Sequence, residues 1–215
     1  NSVVATFCFN IARGLDIQIH NSKSSMELVY IDDFADDMLL NLDASTPGLF
    51  WGELSKTYTI SVGALADKIL SFKNCRLNLM LERVGDGLTR ALYSTYVSYL
   101  SSDNFTYNLP VQLDERGIFV EILKTPNCGQ FSFLTINKGA TRGSHYHHSK
   151  TEKFLVVKGV ARLCFRHLIT KEFSEIIVTG DEPKIVESIP GWVHDITNTG
   201  ETELIVMLWA NEIFD

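Results

Sequence analysis

Clustered positive charge is what this sequence most clearly lacks. Nineteen Lys and Arg stand against 26 Asp and Glu, a net charge of −7, with an isoelectric point near 5.4. Phosphate backbones and anionic membranes select dense Lys and Arg, so general nucleic-acid binding and membrane-surface binding are excluded. Any anionic ligand must be held by local basic groups. No run approaches the roughly 20 apolar residues of a membrane helix, and no signal peptide is visible. The four cysteines, Cys8, Cys75, Cys128 and Cys164, form no CxxC pair. They read as small core residues in a reducing compartment, which points to the cytoplasm. Residues 1 to 100 also lack a glycine-rich phosphate turn and a Tyr-x3-Lys pair, so that stretch shows no chemistry of its own.

What is present suits two domains: 215 residues, 45% of them apolar. Val3 to Arg13 carries Val3, Phe7 and Ile11, with Val4 and Cys8, at helical spacing. Gly14 ends that helix, and Leu15 to His20 then alternates apolar and polar as a strand. Residues 27 to 42 read as a short strand running into a helix with Asp32 or Asp33 at its mouth, where carboxylates complement the helix dipole. Residues 57 to 72 repeat the plan, with Ser61 as N-cap and Leu65, Ile69 and Phe72 on one helical face. Another helix follows near Gly87 to Leu100. The expectation for residues 1–98 is a small α/β portion.

Residues 99–112 are polar and turn-rich, a linker or crossing strand. Beyond them the period changes to two. Short runs such as QFSFLTIN, KFLVVK, VARLCFRH and TELIVMLWA are separated by Gly, Pro or Asn. In one of them Ala161, Leu163 and Phe165 share a face opposite Arg162, Cys164 and Arg166. Seven or more such runs predict an all-β antiparallel sandwich or jelly-roll barrel over residues 113–215.

That region also holds the densest chemistry. His145 and His147 are two apart, Glu152 follows five residues later, and Gly139 and Gly159 flank the set. Side chains at i and i+2 of a strand face the same way, so the two imidazoles can converge on one point. Glu152 can join them after a turn, and His194, three residues past Gly191, is the fourth candidate. Three imidazoles and a carboxylate are ordinary ligands for a divalent transition metal. Four protein donors make a closed, structural zinc site unless the coordination expands.

These spacings resemble the cupin superfamily. Its first motif, G-x5-H-x-H-x4-E-x6-G, is met by Gly139, His145, His147, Glu152 and Gly159, and its second by Gly191, His194 and Asn198, with departures only in the turn before Gly191. Asp114, Arg116, Gly117, Phe119 and Glu121, in DERGIFVEILK, resemble a substrate-site element of the dTDP-4-dehydrorhamnose 3,5-epimerases, which are also cupins. An exposed turn explains that element equally well, although Arg116 has the fork that grips a diphosphate. NSVVATFCFNIARGLDIQI, LVYIDDFADDML and YTISVGALADKI resemble the substrate-binding portion of extended short-chain dehydrogenase/reductases, whose nucleotide-binding half and catalytic Ser/Tyr/Lys are absent here. The chain therefore looks like a fragment, with Asp32 and Asp33 structural.

Joined in this order, the pieces are similar to the bifunctional capsular polysaccharide synthesis enzymes of the CapF/WbjC type. The resemblance implies a zinc cupin that epimerises C3 of a UDP-linked 2-acetamido-2,6-dideoxy-4-ketohexose. It also implies an NADPH-dependent reduction at C4, expected only in a longer parent, and a homodimer. It further implies metal ligation by His145, His147, Glu152 and His194 and substrate contacts from Arg116, Phe119, Glu121 and Arg142. For proton transfer, His148 has a suitable pKa range, with Tyr146, Lys150 and Lys153 as further candidates, although each alone reads more readily as an exposed loop or strand side chain. Arg142 suits anion binding better than proton transfer. Two other classes compete: an iron or manganese dioxygenase on the same ligands, and a non-catalytic cupin that binds a sugar nucleotide or fixes an oligomer.

Overall fold

The computed structural model of the chain describes residues 2–42, 48–49 and 51–214. It divides into two compact units, Asn1–Asn78 with Glu82–Thr106, and Leu79–Leu81 with Tyr107–Asp215.

The first unit contains α1 (Val3–Ala12), β1 (Ser25–Leu28), α2 (Ile31–Leu42), β2 (Tyr58–Ser61), α3 (Val62–Asn78) and α4 (Gly87–Ser98). Helix α1 starts where Ser2 accepts the Ala5 N–H. It stops where the Gly14 N–H reaches the Ile11 carbonyl and the Leu15 N–H reaches that of Asn10. That pair of bonds needs a left-handed residue, and Gly14 supplies it at φ +69°. Ser61 caps α3 as expected, accepting the Ala64 N–H at 3.2 Å. The core is built by Phe7, Cys8 and Ile11 of α1, Leu65, Ala66, Ile69 and Phe72 of α3, and Leu92 and Tyr96 of α4. Burial pushes the Cys8 thiol up to about 12, so it behaves as an apolar group. Helix α2 buries only Asp37 and leaves Ile31, Leu39, Leu40 and Leu42 more than half exposed.

One expectation fails here. Leu15 to His20 is not a strand; among the described residues β1 and β2 pair only with each other. Alternation alone does not make a strand when no neighbouring edge offers its N–H and C=O groups.

The second unit contains β3 (Val111–Asp114), β4 (Gly117–Thr125), β5 (Gly129–Ile136), β6 (Thr141–His145), β7 (Glu152–Lys158), β8 (Val160–His167), β9 (Phe173–Thr179), β10 (Ile185–Ser188), β11 (Trp192–Asn198) and β12 (Leu204–Ala210). They form two sheets, ordered β10-β7-β12-β5-β4-β3 and β6-β11-β8-β9, and every pairing within them is antiparallel. The predicted alternation is realised: Phe154 and Val156, Ala161, Leu163 and Phe165, and Leu204, Val206 and Leu208 point between the sheets into one core. Each of these Val, Leu and Phe side chains contributes about 1.5–3 kcal/mol on burial. Asn198 ties the connections together from inside, donating to the Ile136 and Thr202 carbonyls at 2.8 Å and accepting the Gly200 N–H at 2.9 Å. Residues 79–81 belong to this unit because Lys124 exchanges backbone bonds with Leu79 and Leu81.

Candidate metal centre

Four ligand atoms meet at one end of the sandwich. The donor atoms of His145, His147, Glu152 and His194 all lie within 4.8 Å of one another. Glu152 opens β7 and faces Ser188 of β10 across the ladder, and His194 of β11 faces His145 of β6. Glu152 and His194 are buried, His147 is half-buried and His145 is exposed, so the cluster is open on the His145 side.

The route by which the histidines converge differs from simple strand alternation. His145 is the last residue of β6, and His147 lies in the loop beyond it. The register of β6 on β11 slips, with His145 opposite His194 but Gly143 opposite Asp195. Ser144 is the extra residue of this bulge, at φ +64°, beside Gly143 at φ +96°. Cross-strand partners share a face, so Arg142, opposite the buried Ile196, points inward as His145 does. Without the slip, residues 142 and 145 would face opposite ways. A Cβ on Gly143 would stand 2.8 Å from the His194 carbonyl oxygen, which leaves glycine as the unstrained choice.

Supporting groups fix the set. The Ser188 hydroxyl lies 2.8 Å from His194 Nδ1, which holds the ring with Nε2 toward the cluster. Phe154 and Phe165 lie 5.8 and 6.3 Å from the His194 ring and keep that side dry. Burial would raise the Glu152 carboxyl, but the imidazoles of His194, His147 and His145 outweigh it and hold the group below the usual carboxylate range. Burial and the neighbouring imidazoles lower His145, favouring the neutral ring that a metal requires. His147 Nε2 and Glu152 Oε2 are buried without a hydrogen-bond partner, although the two atoms are 3.4 Å apart and His194 Nε2 is 2.9 Å from the same oxygen. Buried polar atoms are rarely left so. Three imidazoles, an ionised carboxylate and two orphaned polar atoms aimed at one point fit a divalent ion such as zinc.

The other candidates are distributed around this centre. Tyr146 and His148 are exposed and meet edge-on, with ring centroids 5.2 Å apart, outside the ligand cluster. Lys150 lies over the ring of Phe214, 3.8 Å from its centroid. Lys153 is not brought to the site. It alternates with inward-facing Glu152, so it stands on the outer face of its sheet and pairs with Glu187. Arg116 and Arg142 come together on one carboxylate: Asp114 accepts from Arg116 Nη2 at 2.6 Å and from Arg142 Nη2 at 3.0 Å. Hydrogen bonds from Arg116, aided by Arg142, hold Asp114 below its usual range. Phe119 packs against the core and, edge-on at 6.0 Å, against Phe214. Glu121 is occupied by Lys124 at 2.8 Å and by the buried Gln130 at 3.0 Å. Sequence reasoning missed Ser188, Gln130 and Phe214, whose places depend on cross-strand register and carry no local signal.

Comparison with known proteins agrees with this geometry. Residues 112–215 match the family model described as polysaccharide biosynthesis C-terminal domain. A Pseudomonas aeruginosa protein, UDP-2-acetamido-2,6-beta-L-arabino-hexul-4-ose reductase, is 54% identical over all 215 residues. The capsular polysaccharide assembling protein CapF from Staphylococcus aureus superposes over 100% of the chain with a TM-score of 0.91 and 38% identity. The chain is of the CapF type. A structure of CapF with the inhibitor 3-isopropenyl-tropolone also covers the whole CapF-type chain, with a TM-score of 0.92. The chain spans 58% of the length of the Pseudomonas relative and 58% to 63% of the two CapF chains. The family model falls on the sandwich, the part of the chain expected to be a cupin. No described helix is long and apolar enough to cross a membrane.

Proposed function

We propose that the second unit is a zinc-dependent cupin that epimerises C3 of a UDP-2-acetamido-2,6-dideoxy-4-ketohexose. The observation that carries this reading is the four-donor cluster with its orphaned His147 and Glu152 atoms, open on the side of His145. The relative's reductase name supports a UDP-linked 4-keto sugar as the ligand. On this reading residues 1–98 are the substrate-binding part of an extended short-chain dehydrogenase/reductase, residues 99–112 the join and 113–215 the cupin. The exposed apolar residues of α2 suit a helix that packs against further protein. In a longer parent, NADPH would reduce C4 to give UDP-2-acetamido-2,6-dideoxy-L-talose, toward UDP-N-acetyl-L-fucosamine and capsular polysaccharide. The protein would work as a cytoplasmic homodimer.

The chemistry asks little of any single group. A hydrogen on C3 beside a C4 ketone is acidic because the electron pair left behind is shared with the ketone oxygen as an enolate. His145, His147, Glu152 and His194 would hold a zinc ion, whose positive charge would stabilise that oxygen. Arg142 and Arg116, released from Asp114, offer forked donors to the diphosphate. His148 removes the C3 proton from one ring face and Tyr146 returns one to the other, while the Lys150 ammonium holds phosphate.

The test is to load the chain with zinc, incubate it in D2O with the UDP-4-ketohexosamine and follow the C3 proton by NMR. The reading predicts loss of that signal, abolished in His145→Ala and slowed in His148→Ala. Retention of the C3 proton by a folded, zinc-loaded chain that still binds the sugar nucleotide would make this a binding cupin. Oxygen consumption on iron loading, without C3 exchange, would make it an oxygenase.

A further inference from the structure

The segment after β12 is laced to the loop that carries the metal ligands. Asn211 and Thr151 bond in both directions: the Thr151 N–H donates to Asn211 Oδ1 at 2.7 Å, and the Asn211 N–H donates to the Thr151 carbonyl at 3.2 Å. Three residues on, the Phe214 N–H donates to Gln130 Oε1 at 3.1 Å. Gln130 is fully buried and spends its amide group on Glu121 and Ser132, each at 3.0 Å. It lies in one cross-strand row with Ala210 and the ligand Glu152. The Phe214 ring is then held between Phe119 and the ammonium of Lys150. Residues 148–151 have no strand of their own, and residues 147 and 152 on either side are ligands.

We propose that Asn211–Phe214 is a positioning strap. It fixes the 148–151 loop and so sets the separation of His147 from Glu152, while Phe214 places the Lys150 ammonium at the rim of the site. The inference rests on the metal reading above for its functional meaning, but its structural content stands apart from it. Asn211 and Phe214 touch neither the ligand atoms nor a reacting group; they act through Thr151 and Lys150.

Hydrogen–deuterium exchange and metal release, measured together on the full chain, test this. Asn211→Ala removes the acceptor for Thr151, and the loss of one hydrogen bond predicts exchange at Thr151 faster by on the order of tenfold. Zinc transfer to a chromophoric chelator should accelerate by a similar factor. Asn211→Asp keeps the acceptor oxygen and should restore both, whereas a merely structural loss of the side chain would not be rescued. Phe214→Leu should leave Thr151 exchange unchanged and raise KM for the sugar nucleotide more than it lowers kcat, because it frees Lys150 without untying Asn211. Amides of β8 and β9 serve as the control for general loosening. Unchanged Thr151 exchange in Asn211→Ala overturns the strap. A parent chain that binds no zinc at all would instead overturn the metal reading, with the exchange result still deciding the strap.

Discussion

Gly143→Ala perturbs the site without touching a ligand. Two costs follow from the geometry. The backbone at φ +96° is left-handed, which costs a non-glycine residue about 1–2 kcal/mol. The new methyl would also stand 2.8 Å from the His194 carbonyl oxygen and 3.0 Å from Asp195 Cα, both main chain and unable to swing aside. The β6–β11 ladder must part, bringing the total to about 2–4 kcal/mol. Gly139→Ala is the matched control: its φ is +75°, but nothing lies within 4 Å of the added carbon, so it bears only the first cost. Thermal unfolding of the second unit can be followed by Trp192 and Trp209, since Trp51 is already 90% exposed. At about 4–8 °C per kcal/mol in a domain of this size, Gly143→Ala should melt well below Gly139→Ala. Metal affinity, by chelator competition, should fall about 10–100-fold in Gly143→Ala, as when a ligand's support is lost, and little in Gly139→Ala. Equal melting and equal affinity in the two variants would refute the claim that the bulge aims His145.

Ser188→Ala removes the partner of His194 Nδ1 and should weaken metal binding about 10–100-fold, while secondary structure by circular dichroism is kept. Asn198→Ala leaves the Ile136 and Thr202 carbonyls and the Gly200 N–H unserved, and should cost about 2–4 kcal/mol in urea unfolding. In the first unit, burial acts against ionisation of Glu82, but Lys68 and Ser71, with Lys68 at 2.6 Å, hold its carboxyl below the ordinary value of 4.5. A depressed folded value gives stability that is complete above the unfolded value and is lost as pH falls through the folded one. Glu82→Gln should therefore flatten the acid side of the pH–stability profile of that unit and leave the region near neutrality with a constant offset.

Much of this was legible in the chain because it depends on local periodicity. The inward faces of β7, β8 and β12 follow from alternation, and the caps at Ser61 and Gly14 follow from residue type. The grouping of His145, His147, Glu152 and His194 was legible from spacing, although the mechanism that gathers them was not. A bulge at Gly143 and Ser144, rather than alternation through His147, turns His145 inward, and bulges leave no periodic trace. Leu15 to His20 carries the pattern of a strand without an edge to pair with. Val111–Asp114, which begins inside the stretch read as linker or crossing strand, pairs with Gly117–Val120 in a short hairpin, whereas Leu79–Leu81 joins Lys124 through contacts distant in sequence. The fork of Arg116 suited a diphosphate, yet in the structure Asp114 holds it together with Arg142. On the proposed reading, that carboxylate is the group the diphosphate would displace.

X-ray absorption at the metal edge of the purified chain tests the central claim most directly. One zinc per chain is expected, with about three nitrogen donors and one oxygen donor at roughly 2.0–2.1 Å, and loss of a nitrogen scatterer in His194→Ala. A folded chain that takes up no first-row metal, or one whose metal is bound by sulfur, would contradict it.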